Sequence, residues 1–252
     1  MDNKLIFDEN ALNTKDITNR KNIYELFKNC PIPENELMRN LGLFINRQSM
    51  SRMLFMNMLY QKIINTQGVI MEFGVRWGQN MALFESFRGM YEPFNFKRKI
   101  IGFDTFSGFE TIDEKDGKAE VVKEKAYSVT EGYQTYLESV LNYHEQESPI
   151  PHVQKYQLIK GDASVTCKEY FEKNPQTIVA FAYFDLDVYK PTKDCLEIIK
   201  KHLVKGSVLG FDQLNDSVFP GETLALKEVF NLNELKIQRD PLNPDPSFIV
   251  IE

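Results

Sequence analysis

Gly68-Val69-Ile70-Met71-Glu72-Phe73-Gly74-Val75-Arg76-Trp77-Gly78-Gln79-Asn80 is the stretch from which the rest of the chain can be ordered. Val69–Phe73 is a short apolar run that reads as a buried strand, with an acidic residue near its end. A turn with two glycines follows, and then a helix start at Gln79. A strand, a glycine turn and a helix form the entry to a nucleotide-type cofactor site. The spacing E-x-G-x-x-x-G nevertheless departs from the G-x-G-x-x-G that lets backbone approach a pyrophosphate. A carboxylate stands where phosphate would be repelled. A cofactor without phosphates and with a cationic end suits it better, and S-adenosylmethionine, with its ammonium and sulfonium, is the candidate.

Outward from this loop, strands and helices alternate. Strands are expected at Lys99–Phe103, Tyr156–Ile159, Ile178–Phe184 and Ser207–Phe211, with helices at 79–87, 192–203 and 222–230. The end of the chain, Leu235–Arg239 and Ser247–Ile251, reads as an antiparallel pair at one edge. Such alternation implies an α/β fold with a mostly parallel sheet and helices on both faces. Residues 1–66 are expected to form an N-terminal arm and helical segment, and 67–252 the main domain. In the helical segment Met50, Met53, Leu54, Phe55, Met58 and Leu59 recur at three- and four-residue spacing. They predict an apolar face packed on the core, with a cap over a bound ligand as the alternative, and the Met-rich face is also a candidate homodimer contact. Between the second and third strands lie roughly fifty residues, where a crossover needs about half that. This insertion, at about 105–155, is expected to act as a lid or acceptor-binding element.

Composition narrows the function. Over 252 residues, 42% are hydrophobic and 26% charged, as in ordinary globular proteins. A formal net charge of −6 lacks the basic footprint of a nucleic-acid binder. Cys30, Cys167 and Cys195 form neither a metal-ligand spacing nor a disulfide framework, which predicts a reducing cytoplasm. No apolar run reaches the length of a membrane span, and Met1–Arg20 has no signal-peptide core.

Five acidic residues fall at or beside the ends of five expected strands: Glu72, Asp104, Asp162, Asp185 and Asp212. In an open parallel sheet those ends share one edge, where ligands bind. Any one of these aspartates alone reads as a helix N-cap; five in register read as a site. Glu72 is placed to organise the ammonium end of the cofactor, Asp104 to accept from ribose hydroxyls, and Asp162 from the adenine amino group. Phe184-Asp185-Leu186-Asp187-Val188-Tyr189 is the expected chemical centre. Asp185 closes the apolar run, and Asp212 follows 27 residues later on the next strand end. Two such carboxylates suit a divalent cation such as Mg²⁺, which would acidify an acceptor hydroxyl. His144, in the insertion, is the expected base delivered by the lid, with His152 nearby. His202 reads as solvated, and Cys167 and Cys195 as packing residues.

At this point the chain resembles the macrocin-type S-adenosylmethionine-dependent O-methyltransferases, which methylate sugar hydroxyls. The resemblance rests on Glu72–Gly78, Gly102-Phe103-Asp104-Thr105-Phe106-Ser107-Gly108-Phe109 and Lys160-Gly161-Asp162. Further on it includes Phe184–Thr192, Lys205-Gly206 leading to Asp212, and Pro220-Gly221-Glu222 with Ala225, Glu228 and Phe230. These blocks run in order from about residue 50 to 250.

The resemblance implies a Rossmann-like class I methyltransferase fold: a seven-stranded sheet with an antiparallel last strand. It implies S_N2 methyl transfer to a hydroxyl, on a nucleotide-linked sugar or a surface-glycan (capsule or related polysaccharide) precursor. A phenolic or other small-molecule acceptor and a catalytically silent cofactor-binding relative are the alternatives. The implied cofactor set is Glu72, Phe73, Gly74, Gly78, Asn80, Asp104, Thr105, Phe106, Asp162, Ala163 and Asp185. Asp187, Tyr189 and Glu222 are expected at the acceptor. The family's Mg²⁺ ligands are the first Asp of D-x-D and an Asp pair after the fifth strand. Asp185 matches the first, but the pair reads Phe211-Asp212-Gln213, so Asp185, Asp212 and Gln213 are the expected set and one ligand is missing or replaced. Without a metal, Asp185 itself would have to act as base.

Overall fold

A computed structural model describes residues 14–252. Its centre is one seven-stranded sheet in the order β3-β2-β1-β4-β5-β7-β6. The strands are β1 (Val69–Phe73), β2 (Ile100–Asp104), β3 (Tyr156–Lys160), β4 (Val179–Phe184), β5 (Leu203–Phe211), β6 (Gln238–Asp240) and β7 (Asn243–Val250). The first five are parallel; β7 is antiparallel to β5, and β6 to β7. This is the expected fold class, with the antiparallel last strand in place. Strand order reverses direction between β1 and β4, so their carboxyl ends flank the crevice where doubly wound sheets bind ligands.

Helices cover both faces. On one side lie α3 (Arg47–Ile63), α4 (Gln79–Tyr91) and α5 (Tyr133–Gln146). On the other are α6 (Ala163–Lys173), α7 (Tyr189–Ile199) and α8 (Gly221–Val229); α1 (Thr14–Lys28) and α2 (Glu34–Leu37) precede α3. Strand alternation assigns the sides. Val69, Met71 and Phe73 enter the α6–α8 core, while Ile70 enters the α3–α5 core. Glu72, two positions on from Ile70, is therefore on the α3–α5 side.

Four phenylalanines stack across four neighbouring strand ends. Phe73 lies between Phe103 at 5.0 Å and Phe184 at 4.8 Å, and Phe184 meets Phe211 at 5.3 Å, all within 16° of parallel. The pairs coincide with the strand register. This ladder explains the break in the expected Asp pair. Position 211 is a buried rung of the stack, and the first residue free to leave the core is Asp212.

Several boundaries differ from those expected. β5 begins at Leu203 rather than Ser207, and β7 at Asn243 rather than Ser247; only the later residues of each are steadily buried, which is the part an apolar pattern detects. β6 begins at Gln238 because a turn capped by Asn231 occupies Leu232–Glu234. On α3 the buried face is Phe55, Met56, Leu59, Tyr60 and Ile63, whereas Met50 and Leu54 are exposed. Leu54 and Phe55 are adjacent, about 100° apart on a helix, so only one of them can face the core. The insertion also divides. α5 is an ordinary flanking helix whose Leu137 and Leu141 pack on the core, and only the part before it reaches the crevice.

Candidate active site

The carboxyl ends of β1–β5 open into a cavity of about 600 Å³. Its walls carry Glu72, Gly74, Gly78, Asn80, Asp104, Thr105, Asp162, Ala163, Asp185, Asp187, Asp212 and Gln213 of the expected residues, joined by Arg52, Arg76 and Trp77. From the insertion come Gly108–Asp113, Asp116 and Tyr127. Gly74 makes the crevice possible. It has φ +92°, and a Cβ there would collide with the Asp185 carbonyl, so a side chain would push the ends of β1 and β4 apart.

The half formed by β1–β3 is organised locally. Glu72 is buried and its Oε1 accepts from Asn80 Nδ2 at 2.8 Å, across one turn of the loop. Its Oε2 and Asn80 Oδ1 have no hydrogen-bond partner. Burial pushes the Glu72 carboxyl up to about 8, against the lowering effect of Asn80. Two unpartnered buried acceptors on a cavity wall require donors, and a ligand carrying an ammonium supplies them. The residues therefore fit the cationic cofactor expected from the sequence. Asp104 accepts from the Arg76 N–H at 2.7 Å and the Phe106 N–H at 2.6 Å, so its first task is to hold two loops beside β2. Burial raises its pKa. Asp162 caps α6, accepting from Ser164 N–H at 2.8 Å, and still lines the cavity.

The half formed by β4 and β5 is organised from a distance. Arg52, on α3, donates from one terminal nitrogen to Asp185 Oδ2 at 2.8 Å and from the other to Asp212 Oδ1 at 2.7 Å. Tyr183 donates its hydroxyl to the same Asp212 oxygen at 2.8 Å. Asp187 is buried with φ +62°, and its Oδ1 is unpartnered. Glu222, in the first turn of α8, is fully buried and accepts from the N–H groups of Leu186, Asp187 and Gln213 at 3.1–3.4 Å. Burial, and then the charge of Asp212, push the Asp185 carboxyl up to about 7, against the opposing pull of Arg52. Asp187 and Glu222 are raised well above the carboxylate range by burial and by their acidic neighbours.

Arg52 is the residue that sequence reading missed, and it bears on the metal. Asp185 and Asp212 each present an oxygen to its guanidinium, and the Gln213 backbone is tied to Glu222. Among the described residues no three His, Cys, Asp or Glu side chains converge as a metal would need. As arranged, these residues do not fit the divalent ion that the resemblance implied.

Other expected residues lie elsewhere. His144, expected as the lid base, lines a second cavity with Glu85, Arg88 and Tyr143, because α5 turns it toward α4. His152 is exposed. Phe73 packs in the interior as part of the stack, and the half-buried Phe106 packs against the α3–α5 core. Tyr189 faces away from the cavity, donating to Glu228 at 2.7 Å and accepting from Lys115 at 2.9 Å. Glu222 holds loops rather than forming the wall. His202, expected to be solvated, stacks on Phe171 at 3.9 Å. Cys167 and Cys195 are buried packing residues, as read. Trp77 lines the cavity and meets Tyr133 edge-on at 4.7 Å.

Comparison with known proteins then closes the question of family. No family model and no curated protein matches the chain. Among solved structures, CalS11, a calicheamicin methyltransferase, is 38% identical over 99% of both chains with a TM-score of 0.93. Its apo form, described as a TDP-rhamnose 3'-O-methyltransferase, matches 97% of this chain and 99% of that one at 0.85. The O-methyltransferase NovP, 16% identical over 80% of each chain with a TM-score of 0.57, shares the fold. With full-length likeness at that identity and the acidic strand-end site in place, the chain belongs to the S-adenosylmethionine-dependent sugar O-methyltransferases that its sequence blocks resemble.

Proposed function

We propose that this enzyme methylates a hydroxyl of a nucleotide-linked deoxysugar, with Asp185 as the base. The observation that carries the reading is the acidic cavity, whose walls hold nine Asp and Glu side chains against the cations Arg52, Arg76 and Lys190. Carboxylates bind sugar hydroxyls well and repel a diphosphate. The sugar end of the acceptor therefore enters, and the nucleotide stays toward solvent. CalS11's substrate, a TDP-linked sugar, has this shape and supports the assignment.

When bound, S-adenosylmethionine supplies a methyl group on sulfonium that an oxygen lone pair can take, the electron pair of the broken S–C bond remaining on sulfur. Glu72 and Asn80 would hold its amino-acid end through their unpartnered oxygens. Asp104, Asp162 and the loops they cap would take the adenosyl end. The protein's remaining task is alignment and proton removal. Asp185 reaches the cavity, and its carboxyl titrates near 7, where a base can both lose and accept a proton. It takes the hydroxyl proton as the oxygen forms its new bond to carbon. Asp187, whose carboxyl is raised well above its usual range by burial, would hydrogen-bond a neighbouring sugar hydroxyl.

The test is methyl transfer from isotopically labelled cofactor to a panel of nucleotide-linked deoxyhexoses, the free sugars, and phenolic acceptors. Turnover is expected on a nucleotide sugar and not on the phenols. Methylation of a phenol alone would overturn the acceptor class. Tight cofactor binding with no turnover on any acceptor would point to the silent relative.

A further inference from the structure

Arg52 belongs to α3, yet its guanidinium spans two carboxylates on adjacent strand ends 133 and 160 positions away. It is held there by more than its own bonds. Phe55, Met56 and Leu59 of the same helix are fully buried on the sheet. Gly210 carries no side chain between Leu59 and Tyr183, so helix and strand lie close. The guanidinium stands 5.8 Å from the Tyr183 ring centre, while the Tyr183 hydroxyl fixes the Asp212 oxygen that Arg52 also contacts.

Two partly buried carboxylates side by side need a positive charge between them. A divalent ion is one solution; here it would have to share the two carboxylates with the guanidinium and sit beside a fixed positive charge. We propose that Arg52 is the resident cation of the Asp185–Asp212 pair, a positioning residue that does for these carboxylates what a bound metal would otherwise do. The proposal rests on the methyltransferase reading only for its turnover arm. A guanidinium suits the task, because its planar fork meets two carboxylates at once and it does not give up its proton. It ties Asp185 by one oxygen, Oδ2, and aligns the carboxylate for a single acceptor hydroxyl.

The test combines metal binding with kinetics on the full chain. Mn²⁺ is titrated into wild-type protein and followed by electron paramagnetic resonance, and cofactor affinity is measured by calorimetry. Expected are no stoichiometric Mn²⁺ site in the wild type and turnover unchanged by a chelator. Arg52→Met should lower kcat by at least about tenfold, with cofactor affinity within a few-fold of wild type. Arg52→Lys, which keeps the charge and loses the fork, should recover part of that kcat. It also serves should the Met variant fail to fold. One equivalent of Mn²⁺ bound by wild type and lost in Asp212→Asn would overturn the proposal, as would wild-type kcat in Arg52→Met. The metal arm needs no acceptor, so it decides the matter even if the sugar assignment fails.

Discussion

The two halves of the cavity are built from the same residue type by opposite means. On the β1–β3 side the protein partners of each carboxylate lie within its own neighbourhood, and Glu72 Oε2 is left for a ligand. Asn80, eight residues on, serves Glu72; loop N–H groups serve Asp104; and the first turn of α6 serves Asp162. On the β4–β5 side Asp185, Asp187, Asp212 and Glu222 crowd one another, and the charge that meets Asp185 and Asp212 comes from Arg52 on a separate helix. Local satisfaction gives a rigid mould for a cofactor. Crowding adds like charge to burial at Asp185, and a carboxyl pushed up to about 7 is what proton transfer near neutral pH requires.

Damage to the two halves should therefore differ in kind. Asp185→Asn should have the largest effect. It removes the base and leaves the shape, so kcat should fall by about 10²–10⁴ while cofactor affinity changes little. Steady-state kinetics with parallel calorimetry separates the two, and a loss confined to cofactor binding would erase the distinction between the halves.

Asp104→Asn strikes the other half. One of the two loop N–H groups loses its carboxylate acceptor, a cost of about 1–3 kcal/mol. The expected result is roughly 10- to 100-fold weaker cofactor binding, with kcat largely kept at saturation.

Proton linkage sharpens the comparison further. Glu72 rises from its ordinary 4.5 to about 8 in the fold, so between those values the native state holds a proton that the unfolded chain has lost. Its contribution therefore makes the ligand-free protein less stable as pH rises through that window. A bound ammonium favours the ionised carboxylate, so cofactor binding near pH 7 should release protons. Calorimetry in buffers of different ionisation heat should record that release, and it should shrink in Glu72→Gln. Heats that do not depend on the buffer would contradict the assignment of the ammonium to Glu72.

The smallest effect is expected from His144→Ala. With its ring in the second cavity, kcat should stay within about twofold of wild type. A large loss would return the histidine to the chemistry and require α5 to move.

How much of this was legible in the sequence depended on how far apart the partners lie along the chain. The loop from Glu72 to Asn80 was readable because its turn glycines and its carboxylate–amide pair fall within one turn. The row of acidic strand ends was readable because every parallel strand ends on the same edge. Tyr189 was misplaced because its neighbours Asp185 and Asp187 face the cavity, while the start of α7 rotates the ring toward Lys115 and Glu228. His144 was misplaced because nothing in a polar insertion distinguishes a lid from a flanking helix until Leu137 and Leu141 find the core.

From residue order alone came the sheet, its antiparallel edge, the cofactor class and the row of carboxylates, since periodicity and strand-end chemistry are local properties that survive in one dimension. Tertiary packing alone decided that Phe211 is a rung of a stack across four strands, and that Arg52 closes the site. Those outcomes rest on contacts between side chains from separate strands and helices. Such contacts exist only once the burial of each element has fixed which way its side chains point.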